Sequence, residues 1–174
     1  ILDLYKEVKF IISGKGPQLD ELKERAKKLG VFNWINFTGY ISDEDLLKLY
    51  KCADISVFPS IYEPFGIVAL EGMLAGTPVV VSDVGGLSEI INHNIDGMKA
   101  YVGNSNSVAD NILELLFNPE KCEIIKQNAL AKVQEVYNAD SICRQTIELY
   151  VSVIKESESS SWQLPSLKDE LNLI

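Results

Sequence analysis

Two carboxylates, Glu63 and Glu71, are the side chains of this sequence with the type and spacing best suited to chemistry. Between them the chain passes Pro64 and Gly66, which indicate a turn, and then reads as the first two turns of a helix. The apolar run 55–58 before the turn is typical of a buried strand. A strand, a glycine-bearing loop and a helix N-terminus together predict an anion site at the carboxyl edge of a sheet.

The backbone N–H groups of Gly66, Ile67 and Val68 are the predicted donors to phosphate, because the first turn of a helix leaves them without an intrahelical partner. Carboxylates would repel that anion, so Glu63 and Glu71 are better suited to accepting hydrogen bonds from hydroxyl groups. Phosphates and hydroxyls together indicate a nucleotide sugar. The alternative is a glycine that only permits the turn, beside two solvated surface acids.

Several motifs, in order along the chain, resemble one enzyme family. They are Ile-Ile-Ser-Gly-Lys-Gly at 11–16, Phe-Thr-Gly-Tyr at 37–40, Pro-Ser at 59–60, Glu-Pro-Phe-Gly at 63–66 with the Glu at 71, Ala-Gly-Thr-Pro-Val-Val at 75–80 and Gly-Gly-Leu-Ser-Glu at 85–89. From about Val8 to about Lys155 the chain resembles the retaining glycosyltransferases of group 1, or family 4, which include glycogen synthases. The resemblance implies an α/β fold: a Rossmann-like parallel sheet with helices on both faces, the C-terminal half of a two-Rossmann-domain (GT-B) enzyme.

The resemblance also implies roles for the acids. Glu63 would contact the transferred sugar as the catalytic residue that stabilises the transition state, and Glu71 would accept hydrogen bonds from the ribose of the donor. The reaction would move a sugar from a nucleoside diphosphate to an acceptor hydroxyl with its anomeric configuration retained. No Asp-x-Asp element lies at an obvious strand end, and helix N–H groups can stabilise the leaving diphosphate, so no metal and no cofactor are expected.

Three further segments complete the implied donor site. Gly14 and Gly16 follow the first predicted strand and would lie beside the nucleotide, whereas Tyr40 and Ile41 would contact the base. The glycine pair 85–86 would line the cleft towards the donor. For Tyr40 ordinary packing, and for the glycine pair a plain turn, are the competing interpretations.

The elements that must position these residues follow from the sequence pattern. Apolar strand-like runs alternate with helical periodicity as far as Asn104, which predicts a parallel sheet covered by helices, and three helices follow. We expect one nucleotide-sugar-binding domain over 1–156. A serine-rich linker with a short tail would occupy 157–174.

Bulk properties limit the partners and the compartment. With 16 basic and 25 acidic residues the chain carries a net charge of −9, which argues against binding nucleic acid. No apolar stretch approaches the roughly 20 residues of a transmembrane helix. Three cysteines without metal-ligand spacing are typical of free thiols in a reducing cytoplasm, so we expect a cytoplasmic protein.

The chain begins at Ile1 and is expected to be part of a longer protein. The family places an Arg and a Lys on the diphosphate at an earlier strand. It binds the acceptor mainly in a separate N-terminal domain. We therefore expect the donor to bind here and the chain alone to be inactive.

Two other classes of protein compete with this interpretation. An oxidoreductase would need Gly-x-Gly-x-x-Gly, but the segment 14–19 lacks the third glycine and has Pro17 in the loop. A non-catalytic nucleotide-binding or interaction module on the same fold stays open. The donor base and the acceptor also remain open.

Overall fold

The structure, a computed structural model, describes residues 1–159. Strands and helices alternate along its first hundred residues, as the sequence predicts. The strands are β1 (Phe10–Ser13), β2 (Ile35–Gly39), β3 (Ser56–Phe58), β4 (Val79–Ser82) and β5 (Met98–Ala100). The helices are α1 (Leu19–Lys28), α2 (Asp43–Cys52), α3 (Ile67–Leu74), α4 (Gly85–Ile90), α5 (Ser105–Phe117), α6 (Pro119–Val136) and α7 (Ala139–Ser159), and a 3₁₀ turn (Phe32–Trp34) precedes β2.

The sheet β3-β4-β5 is parallel and buried on both faces. Every residue of β4 is buried, as expected for a parallel strand between two helical layers. Val80 packs in a core cluster with Met98 of β5 and with residues of α5 and α6. Its neighbour Val79 lies on the opposite face of the sheet, next to α3. A Cβ added to Gly72 of α3 would lie 3.2 Å from the Val79 side chain. Helices therefore cover both faces, and the predicted fold class is confirmed.

The strands β1 and β2 form a second parallel pair, whose register runs from Phe10 opposite Ile35 to Ser13 opposite Gly39 with one irregularity. In the described part of the chain, β1 pairs with β2 alone and β3 with β4 alone. Ile11 is 47% exposed. The sequence predicts one parallel sheet, whereas the described strands pair in two separate parallel groups, β1-β2 and β3-β4-β5.

Helix starts follow their local sequence. Ser42 is the N-cap of α2, since its hydroxyl accepts a hydrogen bond from the N–H of Asp45 at 3.2 Å. Pro119 is the first residue of α6, the position at which a missing N–H costs nothing. Along 1–159 no helix combines the length and the apolar character needed to cross a membrane.

The described part of the chain divides into two compact units, one over 1–133 and one that starts at Gln134. In the second unit α7 starts after Asn138, whose side chain accepts a hydrogen bond from the N–H of Ser141 at 2.8 Å. The predicted serine-rich linker begins inside this helix, because α7 continues to Ser159. The rest of the predicted linker and tail lies outside the described residues.

Candidate functional site

The N-terminus of α3 is open to an anion. Gly66 is its N-cap, in the left-handed conformation (φ 101°, ψ 37°), and supplies no side-chain cap. Among the described residues the N–H groups of Gly66, Ile67 and Val68 have no recorded hydrogen bond, whereas that of Ala69 donates to the Gly66 carbonyl at 3.0 Å. The first turn of α3 has no acidic residue, unlike that of α2, which has three. The predicted diphosphate donors are therefore uncapped and electrostatically positive.

Only glycine fits at position 66. A positive φ of 101° strains any residue with a Cβ. That Cβ would also lie 2.7 Å from Cδ2 of Leu87 and 3.5 Å from Cδ1 of Ile90, two buried residues of α4. The loop before α3 is therefore packed directly on α4.

Glu63 lies in the same loop and is half-buried. Its carboxylate accepts a hydrogen bond from the hydroxyl of Ser60 at 3.4 Å, and its backbone carbonyl accepts one from the N–H of Gly86 at 3.0 Å. A Cβ at Gly85 would be 2.1 Å from the Glu63 carbonyl oxygen, and one at Gly86 would be 2.0 Å from the oxygen of Phe65. The glycine pair at the start of α4 thus permits two backbone segments to touch.

Glu71 is exposed and lines a pocket of about 210 Å³ with residues of α2. The other lining residues are Asp43, Leu46, Leu47 and Tyr50. Burial raises the pKa of Tyr50 to about 12, and the negative charge of Glu71 adds to this effect. The carboxylate of Glu71 therefore faces a recess between α2 and α3 where a polar ligand group would find an acceptor.

The two predicted nucleotide segments meet at the carboxyl end of β1 and β2. The N–H of Gly14 donates to the carbonyl of Gly39 at 2.8 Å, and Nζ of Lys15 lies 5.1 Å from the centre of the Tyr40 ring. Tyr40 is exposed, so this ring does not belong to the core. The competing interpretation of Tyr40 as ordinary packing is therefore disfavoured.

The remaining two predicted residues lie close by in the chain. Gly16 is exposed, and a Cβ there would meet nothing within 4 Å. Ile41 is half-buried two residues before Asp43, which lines the Glu71 pocket. The start of α2 thus places the Tyr40–Ile41 segment next in sequence to the pocket that Glu71 lines.

A polar cluster beside α4 is absent from the sequence-based site. Nζ of Lys99 lies 3.2 Å from Oδ1 of Asp83 and donates to the Ser88 carbonyl at 2.7 Å. A hydrogen bond from the Ser88 hydroxyl, with help from Lys99, holds the pKa of Asp83 below its usual value. A single lysine between Met98 and Ala100, in an otherwise apolar strand, is the only sequence signal for this cluster.

Comparison with known proteins identifies the family. Residues 1–132 match the family model described as "Glycosyl transferases group 1". A glycosyltransferase of Methanocaldococcus jannaschii is 46% identical over 142 residues, which cover 82% of this chain and 36% of that protein. The glycogen synthase of Mycobacterium tuberculosis is 30% identical over 160 residues, which cover 92% of this chain and 39% of that protein.

A solved structure supports the same conclusion. Anabaena HepE in complex with UDP superposes with a TM-score of 0.77 at 30% identity, covering 83% of this chain and 41% of HepE. The chain thus spans about two fifths of its relatives, as one Rossmann-like half of a GT-B enzyme does. On the family model, which covers most of its length, and on these likenesses, the chain belongs to the glycosyl transferases group 1 family.

Proposed function

We propose that this chain is the donor-binding domain of a retaining glycosyltransferase that moves a sugar from a nucleoside diphosphate sugar to an acceptor hydroxyl. The observation that carries the proposal is the open start of α3, with an uncapped left-handed Gly66 and no acid in its first turn. An uncapped helix N-terminus attracts an anion through its N–H groups and through the helix dipole.

The diphosphate would accept hydrogen bonds from the N–H groups of Gly66, Ile67 and Val68. During transfer the bond between the sugar and the diphosphate breaks, and negative charge grows on the leaving oxygen. Fixed N–H donors stabilise that charge without reorganising, which is the usual source of electrostatic catalysis. We propose that the reaction needs no metal for this reason, so transfer should persist in EDTA.

The nucleoside would lie along α2. Glu71 supplies an acceptor for the ribose hydroxyls from its pocket with Tyr50, and Tyr40 and Ile41 would contact the base. The loop of Gly14 and Gly16 would border the nucleotide at the end of β1. Binding energy from this part of the donor would position the anomeric carbon for reaction.

Glu63 would contact the transferred sugar. It precedes the phosphate donors in the same loop, and its carboxylate is half-buried with one contact from Ser60. A carboxylate there can accept hydrogen bonds from sugar hydroxyls and stabilise an oxocarbenium-like transition state. In this scheme Glu63 accelerates transfer because it binds the transition state more tightly than the ground state.

The acceptor would be bound mainly by another domain of the full-length protein. The curated relatives are more than twice as long as their match to this chain, which leaves room for that domain. We propose a cytoplasmic enzyme, and we expect residues 1–174 alone to be inactive in transfer.

UDP is the first donor nucleotide to test, because HepE has been solved with UDP and with UDP-glucose. Thermal unfolding of the chain should be measured with UDP, ADP, GDP or NAD at millimolar concentration. A nucleotide present at about 100 times its dissociation constant stabilises the folded state by roughly 2.7 kcal/mol. The variant Ile67→Asp is the control, since Ile67 is 60% exposed and a carboxylate in the first turn of α3 would repel the diphosphate.

Stabilisation by one nucleoside diphosphate, lost in Ile67→Asp, is the expected result. Stabilisation by NAD alone would contradict the proposal. If neither the chain nor the full-length protein responds to any nucleotide, the non-catalytic alternative replaces it.

A further inference from the structure

The short helix α4 is held at both ends by groups from other elements. At its start the N–H of Gly86 donates to the carbonyl of Glu63 at 3.0 Å. Towards its end Nζ of Lys99 donates to the Ser88 carbonyl at 2.7 Å, and Nζ of Lys132 donates to the Ile90 carbonyl. The two lysines thus satisfy carbonyl groups that a helix end leaves without partners.

Lys99 is itself fixed by the sheet. It lies in β5, which pairs with β4, and its carbonyl accepts a hydrogen bond from the side chain of Asn111 at 3.0 Å. Its side chain is 20% exposed, and its Nζ also lies 3.3 Å from the Ser88 hydroxyl and 3.2 Å from Asp83. The hydroxyl in turn donates to Asp83 at 2.5 Å. The Lys99 side chain therefore ties α4 to the sheet, in addition to the direct packing of α4 on β4.

A helix of this length needs such anchors. Isolated helices shorter than about 12–15 residues are marginal in water, and α4 has six residues. Its buried Leu87 and Ile90 lie against the position of Gly66, and the N–H of its second residue, Gly86, donates to the Glu63 carbonyl. A displacement of α4 would therefore move the loop that carries the Glu63 carboxylate.

We propose that Lys99 is a positioning residue for Glu63: it holds α4 against the sheet, and α4 holds the Glu63 loop at the sugar end of the donor site. This inference rests on the function proposed above. Lys99 touches no substrate in this scheme and acts through Ser88, Gly86 and the Glu63 carbonyl. The backbone N–H groups at the start of α3 depend less on Lys99, because α3 also packs on β3 and β4.

Lys99 is a better test of this connection than Lys132. Lys132 lies 2.7 Å from Asp96, which is only 4% exposed, so its removal would strand a buried charge and disturb folding. The acid beside Lys99 is Asp83, which is 48% exposed and can be solvated when the lysine is lost. Lys99→Met should therefore fold.

The kinetic experiment uses the full-length protein with Lys99→Met, Lys99→Arg and Lys126→Met. Lys126 is the matched control, since it forms an ion pair with Glu123 at 3.2 Å and makes no hydrogen bond to α4. Misplacing a reacting group by 1 Å can cost up to about 100-fold in rate, so we expect Lys99→Met to lower kcat by about tenfold or more. The donor KM and the Kd of UDP should change by less than about twofold.

Lys99→Arg, which keeps the charge and several donors, should recover most of kcat, and Lys126→Met should resemble the wild type. An unchanged kcat in Lys99→Met would overturn the proposal. So would a loss of kcat matched by an equal loss of UDP affinity, because α4 would then support the whole site rather than Glu63.

A second readout separates this inference from the proposed function. Amide hydrogen exchange at Gly86 and across 61–66 should be faster in Lys99→Met than in the wild type, with no change in β1 and β2. Unchanged exchange there overturns the inference even in an active enzyme. If the wild type binds no nucleoside diphosphate, the proposed function fails, and the exchange data still decide whether Lys99 holds the loop.

Discussion

The N–H of Gly86 donates a hydrogen bond to the carbonyl of Glu63, and at this point two backbone segments cross with no room for a side chain. The contact joins α4 to the loop that leads into α3. Close packing of the two backbone segments therefore explains the glycines at 85 and 86, whereas a plain turn would not require both. It ties the loop of the proposed sugar-binding acid to one short helix.

A methyl group at Gly86 should be costly. In Gly86→Ala the Cβ would lie 2.0 Å from the carbonyl oxygen of Phe65, so the backbone must shift. Overpacking of this kind destabilises a fold by about 1–3 kcal/mol. Urea unfolding monitored by circular dichroism measures the change.

Gly16→Ala is the stability control for that measurement, because a Cβ at Gly16 meets nothing within 4 Å. We expect its free energy of unfolding to stay within about 0.5 kcal/mol of the wild type. Equal stability of the two alanine variants would show that the crossing at Gly86 is looser than the structure indicates.

Removing the Glu71 carboxylate should weaken nucleotide binding. Glu71→Ala deletes the acceptor proposed for the ribose hydroxyls, which is worth roughly 1–3 kcal/mol of affinity. Isothermal titration calorimetry with UDP measures the loss. Glu148→Ala, an exposed acid on α7, is the matched control. Unchanged affinity in Glu71→Ala would mean that this carboxylate binds no donor group.

Tyr50 should ionise late in an alkaline titration. Burial raises its pKa from 10.0 to about 12, so the tyrosinate absorbance that develops near pH 12 should decrease in Tyr50→Phe. Because the folded-state pKa is raised, the stabilisation linked to the neutral phenol is present below pH 10 and is lost as the pH rises through about 12.

The same titration tests the neighbour of Tyr50. The charge of Glu71 is the smaller of the two causes of the raised pKa, so Glu71→Gln should lower the pKa of Tyr50 without restoring it to 10.0. An identical titration curve in Glu71→Gln would place the Glu71 carboxylate away from the pocket with Tyr50. This readout requires no substrate.

Asp83 should make the stability of the α4 cluster depend on acid pH. Its pKa is lowered from 3.8, first by the Ser88 hydroxyl and then by Lys99. A lowered folded-state pKa stabilises the protein above the unfolded value, and this contribution is lost as the pH falls through the folded value. Wild type and Asp83→Asn should therefore differ in unfolding free energy at neutral pH and converge in acid.

Urea unfolding of both proteins from neutral pH down to below the ordinary pKa of an aspartate gives the two curves. A gap that stays constant across this range would show that Asp83 acts through its shape rather than its charge.

The order of elements could be predicted from the sequence because local signals agree. Hydrophobic periodicity separates strands from helices, and Ser42, Pro119 and Gly66 mark helix starts for reasons contained in their own chemistry. The predicted start of the serine-rich linker at Ser157 instead lies within α7, which continues to Ser159, since serine lowers helix propensity only modestly.

Relationships across the fold could not be predicted in this way. Tyr50 and Glu71 are far apart in sequence, and they line one pocket only because α2 packs on α3. Lys99 is recognisable as an isolated cation in a strand, but its contacts with Ser88 and Asp83 depend on where α4 lies. The division of the strands between two sheets likewise reflects tertiary pairing, which periodicity does not encode.

Along 1–159 no strand pairs with the second edge of β1 or of β3, and this has a practical consequence for handling residues 1–174 as a purified sample. A free strand edge is a template for another chain, and Ile11 and Ile12 beside it are 47% and 38% exposed. We expect concentrated solutions of these residues to self-associate through these edges. Ligand titrations should therefore be run dilute and checked by light scattering.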